Sequence, residues 1–479
     1  MSITSSGPAR TARYAVAPNA LPLLGHAIPL ARRPQQFLTE LPCYGDLVEV
    51  RLGRRPAVLV CSPDLIQRVL REPRTFDKGG PLFDKADELV GQGLFAATWE
   101  PHRRQRRMMQ PGFHRTRMPG YAEVMRDEID TLLAGWRDGQ QVDIRDEMHR
   151  VTLRIAARTM FTNPVSNHAA DEVQECMPII NRGVYKRMVA PTALLEKLPT
   201  RENRQFELAH QRMRDVVEET IGQYRESGVD HGDLMSILIN SVDPDTGQPM
   251  SEFEVHQQVM TLLAGGMETT ANAISSALLL ISEHPEVERG LQAEVDEVLG
   301  GRSPAFEDIP KLTYLDRVLR ETLRLRPPVW LLTRTTTRDT ELGGHPLPQG
   351  SIILLSPYLL HHNPELFTDP ERFDPDRWLP ERADSVTQNA MQPFIMGNRK
   401  CIGDQFALNE ARLLVATIAS RWSIRMTSGA PRRRLPEATL GPGPMPMTLT
   451  QRPIRATRPA APDDGMPGST GCPFHAGQS

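Results

Sequence analysis

Phe394-Ile-Met-Gly-Asn-Arg-Lys-Cys401-Ile-Gly403 is the stretch on which the reading of this chain turns. It runs straight into Asp404–Arg421, where Phe406, Leu408, Leu413, Leu414 and Ile418 fall at helical spacing and predict a helix. Cys401 therefore stands at a helix N-terminus, where unpaired N–H groups and the positive end of the dipole favour negative charge. Arg399 and Lys400 add to that field, so the thiolate, the form that binds metal, is expected to be favoured. Gly397 and Gly403 let the backbone turn tightly and come close to a flat ligand. A cysteine without these neighbours would read as a small buried hydrophobe.

The remaining composition limits what such a site can serve. The 479 residues carry 59 acidic and 56 basic side chains, a net charge of -3 that excludes a polycationic nucleic-acid coat and a strongly acidic solvating chain. Only six of the basic residues are lysine (Lys78, Lys85, Lys186, Lys197, Lys311, Lys400), so most positive charge is the permanently protonated guanidinium. Cys43, Cys61, Cys176, Cys401 and Cys472 are odd in number, widely spaced and without a C-x-x-C, which argues against a zinc ribbon or disulfide framework and for a reducing cytoplasm. Residues 1–19 lack a continuous apolar stretch and do not read as a signal peptide or membrane anchor. A chain this long can bury roughly three quarters of its unfolded surface.

Outward from the Cys401 loop, three other clusters attract notice. Ser251 to Ser282 predicts a long helix, roughly 48 Å at 1.5 Å per residue, opened by a Ser251/Glu254 capping box and stopped by Pro285. Its length and apolarity raise a transmembrane reading, which the central Gly265-Gly266-Met267-Glu268-Thr269-Thr270 opposes, because an ionisable group in mid-bilayer is costly. Thr269 can bond back to the carbonyl four residues earlier and open the helix there. Glu321 and Arg324 share a helix face, and Pro375-Asp376-Arg377-Trp378 follows later. His102-Arg-Arg-Gln-Arg106-Arg107 is a basic helical run with no aromatic interleaving to suggest nucleic-acid binding.

Strands are expected over 46–52 and 57–61 around a turn at 53–55, with another at 351–355. Helices are expected over 63–70, 285–299 and 315–325, and over most of 120–240 with breaks at Pro164, Pro178, Pro191 and Gly228. Residues 363–400 read as a long irregular segment rich in proline, which in a compact domain is usually functional.

Every specified position of F-x-x-G-x-R-x-C-x-G is met by 394–403, and the chain thereby resembles the cytochrome P-450 superfamily. The order [AG]-G-x-[DE]-T-[ST], E-x-x-R, P-E-R-F, Cys loop is also that of the superfamily, with Pro375-Asp376-Arg377-Trp378 in the place of P-E-R-F and Trp378 replacing the usual Phe. The resemblance spans about Pro18 to Arg452. It implies a mainly α fold with a small β region: one domain over 18–452, between a flexible lead over 1–17 and a disordered tail over 453–479. A haem b would lie between the long central helix and the helix after the Cys loop.

By resemblance Cys401 is the thiolate ligand of the haem iron, which favours O–O cleavage. His102, Arg106, Arg334 and Arg399 hold the propionates, and Phe394 shields the sulfur. Glu268 and Thr269 deliver protons to dioxygen, while Glu321, Arg324 and Arg377 hold the fold around the haem loop. Apolar candidates for the substrate wall are Leu262, Leu263, Gly266, Val329, Trp330 and Leu331, with the loop 80–95 and the turn 444–447. Arg103, Arg104 and Arg107 are left for the surface, where they could steer an acidic electron donor.

The implied activity is a monooxygenase that inserts one oxygen atom of O2 into an unactivated C–H bond of a hydrophobic small molecule. The electron donors are expected to be a ferredoxin and its reductase, and the protein a cytoplasmic monomer. Gly183–Pro191 and Pro327–Arg334 resemble segments of sesquiterpene-oxidising bacterial members, which points to a terpene substrate. Fatty-acid hydroxylase or peroxygenase, macrolide or steroid hydroxylase, and a non-enzymatic haem carrier or sensor are the alternatives. For the last, Met267 is the candidate second ligand. Cys472-Pro-Phe-His475 in the tail reads as an exposed disordered segment.

Overall fold

The computed structural model describes residues 14–80, 83–84, 86–87, 91–161, 166–189, 198–427 and 439–453. The expectations on 1–13 and 454–479, on Pro164 and Pro191, and on much of Gly183–Pro191 lie outside the described residues or side chains.

The long helix is the centre of the molecule. It spans Glu252–Glu283 and is opened by the expected capping box, with Ser251 Oγ accepting from the Glu254 N–H and Glu254 reaching back to the Ser251 N–H. Pro285 starts the next helix, Pro285–Leu299. The helices Ile144–Met160, Thr313–Leu325 and Asp404–Arg421 pack around it, and their apolar faces make one large core with Met148, Ile155, Leu263, Ile274, Leu315 and Leu414. No described helix is long and apolar enough to cross a membrane.

The small β region is built from β1 (Ala15–Val16), β2 (Leu47–Leu52), β3 (Arg55–Val60), β4 (Phe76–Asp77), β5 (Gln141–Asp143), β6 (Leu332–Thr336), β7 (Thr340–Leu342), β8 (His345–Leu347), β9 (Ile352–Leu355), β10 (Trp422–Met426) and β11 (Pro446–Gln451). Six strands form one sheet in the order β1-β2-β3-β9-β6-β4; β10-β11-β5 and β7-β8 form two smaller ones. The β2–β3 hairpin is antiparallel, with Leu47 opposite Val60, and β9 joins β3 in parallel. This places Arg334 on β6, opposite Ile353. Beyond β6, β4 carries Asp77, and Lys78 follows directly.

Two sequence expectations need correction. Pro178 does not break a helix: Ser166–Val189 runs through it, so tertiary packing there outweighs the ~3 kcal/mol that an internal proline costs. Nor does Thr269 interrupt the long helix, which stays continuous although the back-bond forms. The segment 363–400 is largely irregular as expected, apart from short turns of helix such as Ser385–Ala390.

Candidate haem-binding site

The Cys401 loop is pinned at both ends. Its entrance is tied to the Glu321–Arg324 cluster, because the Gln392 N–H donates to His361 Nε2 at 3.0 Å while the His361 carbonyl accepts from Arg324 Nη1 at 2.8 Å. Its exit is the helix Asp404–Arg421, with the Cys401 N–H donating back to the Phe394 carbonyl at 3.0 Å. Gly397 has φ +72°, and a Cβ there would sit 2.9 Å from the Leu70 carbonyl oxygen, so the loop leans on the helix Pro63–Arg71 as only glycine allows. Ile395, β-branched, is held at φ +61°, a strained geometry that only an over-determined loop retains.

Glu321 and Arg324 are wholly buried. Arg324 Nε and Nη2 donate to the two carboxylate oxygens at 2.9 and 2.8 Å. Arg377 Nε adds 3.2 Å, the Asp374 N–H 3.2 Å, and Trp378 Nε1 2.9 Å. The Trp that stands in place of Phe thus supplies a fifth donor, which the sequence reading treated only as a departure from pattern. Arg324 spends its other N–H groups on the carbonyls of Pro370 and Arg372.

Five basic side chains gather beside the loop: Lys78, His102, Arg106, Arg334 and Arg399. Arg106 Nη1 donates to the Lys400 carbonyl at 2.6 Å, which brings this cluster against Cys401. Arg399 donates to the Ala97 carbonyl at 2.7 Å and to Asp77, while its Nε is buried without a partner. Arg334 is buried and its guanidinium donates to the Thr333 carbonyl. Their carboxylate neighbours are Asp77 and, at Arg106, Asp404, so positive charge is in excess. Burial, with the neighbouring cations adding to it, lowers Lys78 well below the usual amine range, Arg334 to about 10 and His102 to about 2. Lys78 was not singled out from sequence; no motif marks it, and its burial depends on the loop 91–97 folding over it, where Leu94 O accepts from Lys78 Nζ at 2.7 Å.

The same loop reaches the long helix. The Leu94 N–H donates to Gln258 Oε1 at 2.9 Å, and Gln258 lies two turns before Gly265 on one helix face. A Cβ built on Gly265 or Gly266 meets nothing within 4 Å, although both lie in the middle of the central helix. That is open space beside the helix. Cys401 has accessible surface.

A thiol ligand, an excess of buried bases and open space beside two glycines fit a flat, dianionic, iron-bearing macrocycle. The cysteine is a partial correction: burial pushes its thiol up, against the Gly403 N–H, Arg106 and Lys400 that favour the thiolate. Deprotonation therefore awaits a metal ion.

Thr269 Oγ1 donates to the Gly265 carbonyl at 2.7 Å, and the Glu268 carboxylate accepts from Thr439 Oγ1. Met267 is buried in the helical core, and its carbonyl accepts from Thr152 Oγ1 at 3.3 Å. Leu262, Gly266, Val329, Trp330 and Leu331 are partly accessible, while Leu263 is fully buried; Trp330 and Leu331 pack against the Phe37–Leu59 core under the sheet. Arg104 and Arg107 are not left over for the surface: Arg104 pairs with Glu254 at 2.5 Å and Arg107 with Asp245 at 2.7 Å. Arg103 is exposed. A separate cleft of about 330 Å³, between Ser276, His284, Tyr358 and Gly441, contains none of the motif residues.

Known proteins agree with this geometry. The family model for cytochrome P450 matches residues 16–449. The chain is 49% identical over 449 residues to a cyclooctat-9-en-7-ol 5-monooxygenase of Streptomyces melanosporofaciens, covering 94% of this chain and 98% of that one. It is 48% identical to cyclooctatin synthase of the same organism (93% and 97% covered) and 40% identical to pentalenene oxygenase of Streptomyces avermitilis (91% and 97%). The crystal structure of the cytochrome P450DA heme domain superposes with a TM-score of 0.83 at 27% identity, covering 93% of this chain and 99% of that chain. The family carries a haem-thiolate iron cofactor, and this chain belongs to the cytochrome P450 family.

Proposed function

We propose that the protein is a haem-thiolate monooxygenase of terpene metabolism, with the balance RH + O2 + 2 electrons + 2 protons giving ROH + H2O. The observation that carries the reading is the buried base cluster joined to the Cys401 loop through Arg106. Cys401 would hold the iron; His102, Arg106, Arg334 and Arg399, joined by Lys78, would hold the two propionates; Phe394 would cover the sulfur side. The haem, when bound, supplies dioxygen activation, which no side chain can provide.

The chain's own residues bind, orient and supply protons. Thr269, whose hydroxyl hydrogen is committed to the Gly265 carbonyl, offers its oxygen as an acceptor toward the open turn. Glu268, one residue before it, is the carboxylate from which protons enter. Glu321, Arg324 and Arg377 keep the loop in register. Leu262, Gly266 and Val329, which keep accessible surface, would give an apolar wall that admits a hydrocarbon skeleton and disfavours a charged acid, while Leu263 is taken up by the core and Trp330 and Leu331 back onto the sheet.

The relatives whose names specify cyclooctat-9-en-7-ol and pentalenene support a cyclic terpene of sesquiterpene or diterpene size. A ferredoxin and its reductase would bring the electrons, in the cytoplasm, to a single domain over 18–452. The test is titration of the haem-loaded protein with cyclic sesqui- and diterpenes, followed by turnover under labelled O2. Displacement of the iron's water and one labelled oxygen in the product are expected. Turnover sustained only by peroxide, or preference for fatty acids, would overturn the proposal.

A further inference from the structure

We propose that His149, Asn272 and Thr439 are positioning residues for proton delivery, a strap of hydrogen bonds that fixes the Glu268 carboxylate from outside the long helix. The inference rests on the proton-relay reading of Glu268 given above and adds three residues that no motif marks.

The strap is continuous. Thr439 Oγ1 donates to Glu268 Oε1, Asn272 Nδ2 donates to Thr439 Oγ1 at 2.8 Å, and His149 Nε2 meets Asn272 Oδ1 at 3.1 Å. Its polarity follows from chemistry. An ionised carboxylate only accepts, so the single Thr439 hydrogen is committed to Glu268. The Thr439 oxygen must then accept from the amide end of Asn272. The carbonyl end of Asn272 is left to accept, so His149 must carry its proton on Nε2. Burial and Arg145 push His149 down to about 4, which keeps the ring neutral, and the Asn272 acceptor then places its proton on Nε2. Asn272 suits its place, since its amide accepts at one end and donates at the other. An Asp there would put a buried anion beside the partly buried Glu268 and could not donate.

The strap is also held from behind. Asn272 is fully buried. A Cβ on Gly441 would sit 2.3 Å from Asn272 Oδ1, so the returning chain lies directly on the amide. Leu440 N–H donates to the Pro328 carbonyl at 2.8 Å, and Met445 N–H donates to Asp143 Oδ1 at 3.1 Å. The chain just after Thr439 is thus tied first beyond the end of one helix (Thr313–Leu325) and then to the start of another (Ile144–Met160). Glu268 Oε2 has no side-chain partner among the described residues, so the strap engages one oxygen and leaves the other for proton exchange beside Thr269. A carboxylate free to rotate would lose that alignment, and a displacement of about 1 Å can cost on the order of a hundredfold in rate.

The experiment uses the haem-loaded full chain with its electron donors and compares Thr439→Val, Thr439→Ser, Gly441→Ala, Glu268→Gln and the Thr439→Val/Glu268→Gln double variant. Two quantities are read: the position of the Glu268 carboxylate in crystals, and the share of reducing equivalents that ends in peroxide instead of product. Thr439→Val is expected to free the carboxylate and lower product per electron pair about tenfold, with Thr439→Ser restoring both. Gly441→Ala, which disturbs Asn272 without touching Glu268, is expected to act in the same direction. The double variant is expected to be no worse than Glu268→Gln alone.

If Glu268→Gln uncouples turnover while Thr439→Val and Gly441→Ala leave both quantities unchanged, the strap is refuted and the relay stands. A double variant whose losses multiply also refutes the strap. If Glu268→Gln itself stays fully coupled, the relay reading falls and the strap's role with it.

Discussion

Glu321→Gln changes no volume and removes one charge from the most enclosed polar cluster in the molecule. Five donors converge on the Glu321 carboxylate: Arg324 Nη2, Arg377 Nε and the Asp374 N–H at Oε1, and Arg324 Nε and Trp378 Nε1 at Oε2. A glutamine amide must place its NH2 at one of those two positions. At Oε1 it faces three donors, and at Oε2 it faces two. The cheaper orientation forfeits two hydrogen bonds, one from a charged donor and one from Trp378, and leaves two buried guanidinium groups without their counter-ion.

Hydrogen bonds to charged groups contribute about 1.5–3 kcal/mol each, and breaking a buried ion pair costs about 3–5 kcal/mol. The expected loss is therefore about 3–5 kcal/mol, a large share of a stability of about 5–15 kcal/mol. With a urea slope of about 3 kcal/mol/M, the midpoint falls by about 1–2 M. Far-ultraviolet dichroism and haem absorbance followed in one urea series measure it. Both signals are expected to fail together, because His361 links Arg324 to the entrance of the Cys401 loop. Trp378→Phe, which removes one donor to the carboxylate and leaves both ion pairs in place, is the control, with about 1.5–3 kcal/mol lost. A Glu321→Gln midpoint within about 0.3 M of wild type would refute the reasoning, since about 1 kcal/mol is the most that shift represents.

Lys78→Gln removes from the base cluster an amine that a propionate would hold in its charged form, and is expected to speed haem transfer to apomyoglobin at least about tenfold, whereas Arg103→Gln, an exposed change, leaves it as it is. Thr269→Ala is expected to keep its haem yet divert oxygen to peroxide; unchanged coupling would count against the role given to Thr269. Glu410 is buried in the helix Asp404–Arg421, and burial raises its carboxyl well above the usual range. An acid raised in the folded state loses its proton first in the unfolded chain, so stability falls as pH rises above about 4.3, by at most about 1.4 kcal/mol per unit, until Glu410 ionises in the folded protein. Glu410→Gln removes that slope, and urea midpoints for the two proteins at pH 5 and pH 8 compare it directly; parallel changes would contradict the burial argument.

What could be read in the sequence was what is local. The Cys401 loop, the Glu321/Arg324 pair and the Ser251 capping box each lie within ten residues, and short-range geometry dictates their form. The helix Asp404–Arg421 and the stop at Pro285 were legible for the same reason. Pairings across the chain were not. β5 is three residues long and takes its partner, β11, from some three hundred positions away, so no periodicity announces either. Lys78 looks like a loop lysine before Gly79 and Gly80, and becomes an enclosed base when the Leu94 carbonyl, held in place by Gln258, takes its amine. Thr439 reaches Glu268 and Asn272 across 171 and 167 residues. Pro178 shows the converse, a strong local signal overruled by packing. Arg104 and Arg107 looked available because Asp243, Asp245 and Glu254, which bind them, lie far along the chain.

The bond between the Cys401 sulfur and iron is tested most directly by the carbon monoxide spectrum of the reduced, haem-loaded protein beside that of Cys401→His. The wild-type protein is expected to give the band of a thiolate-ligated haem, and the variant that of an imidazole-ligated one. A wild-type protein that stays colourless with hemin supplied, or that shows the imidazole band itself, contradicts the assignment of Cys401.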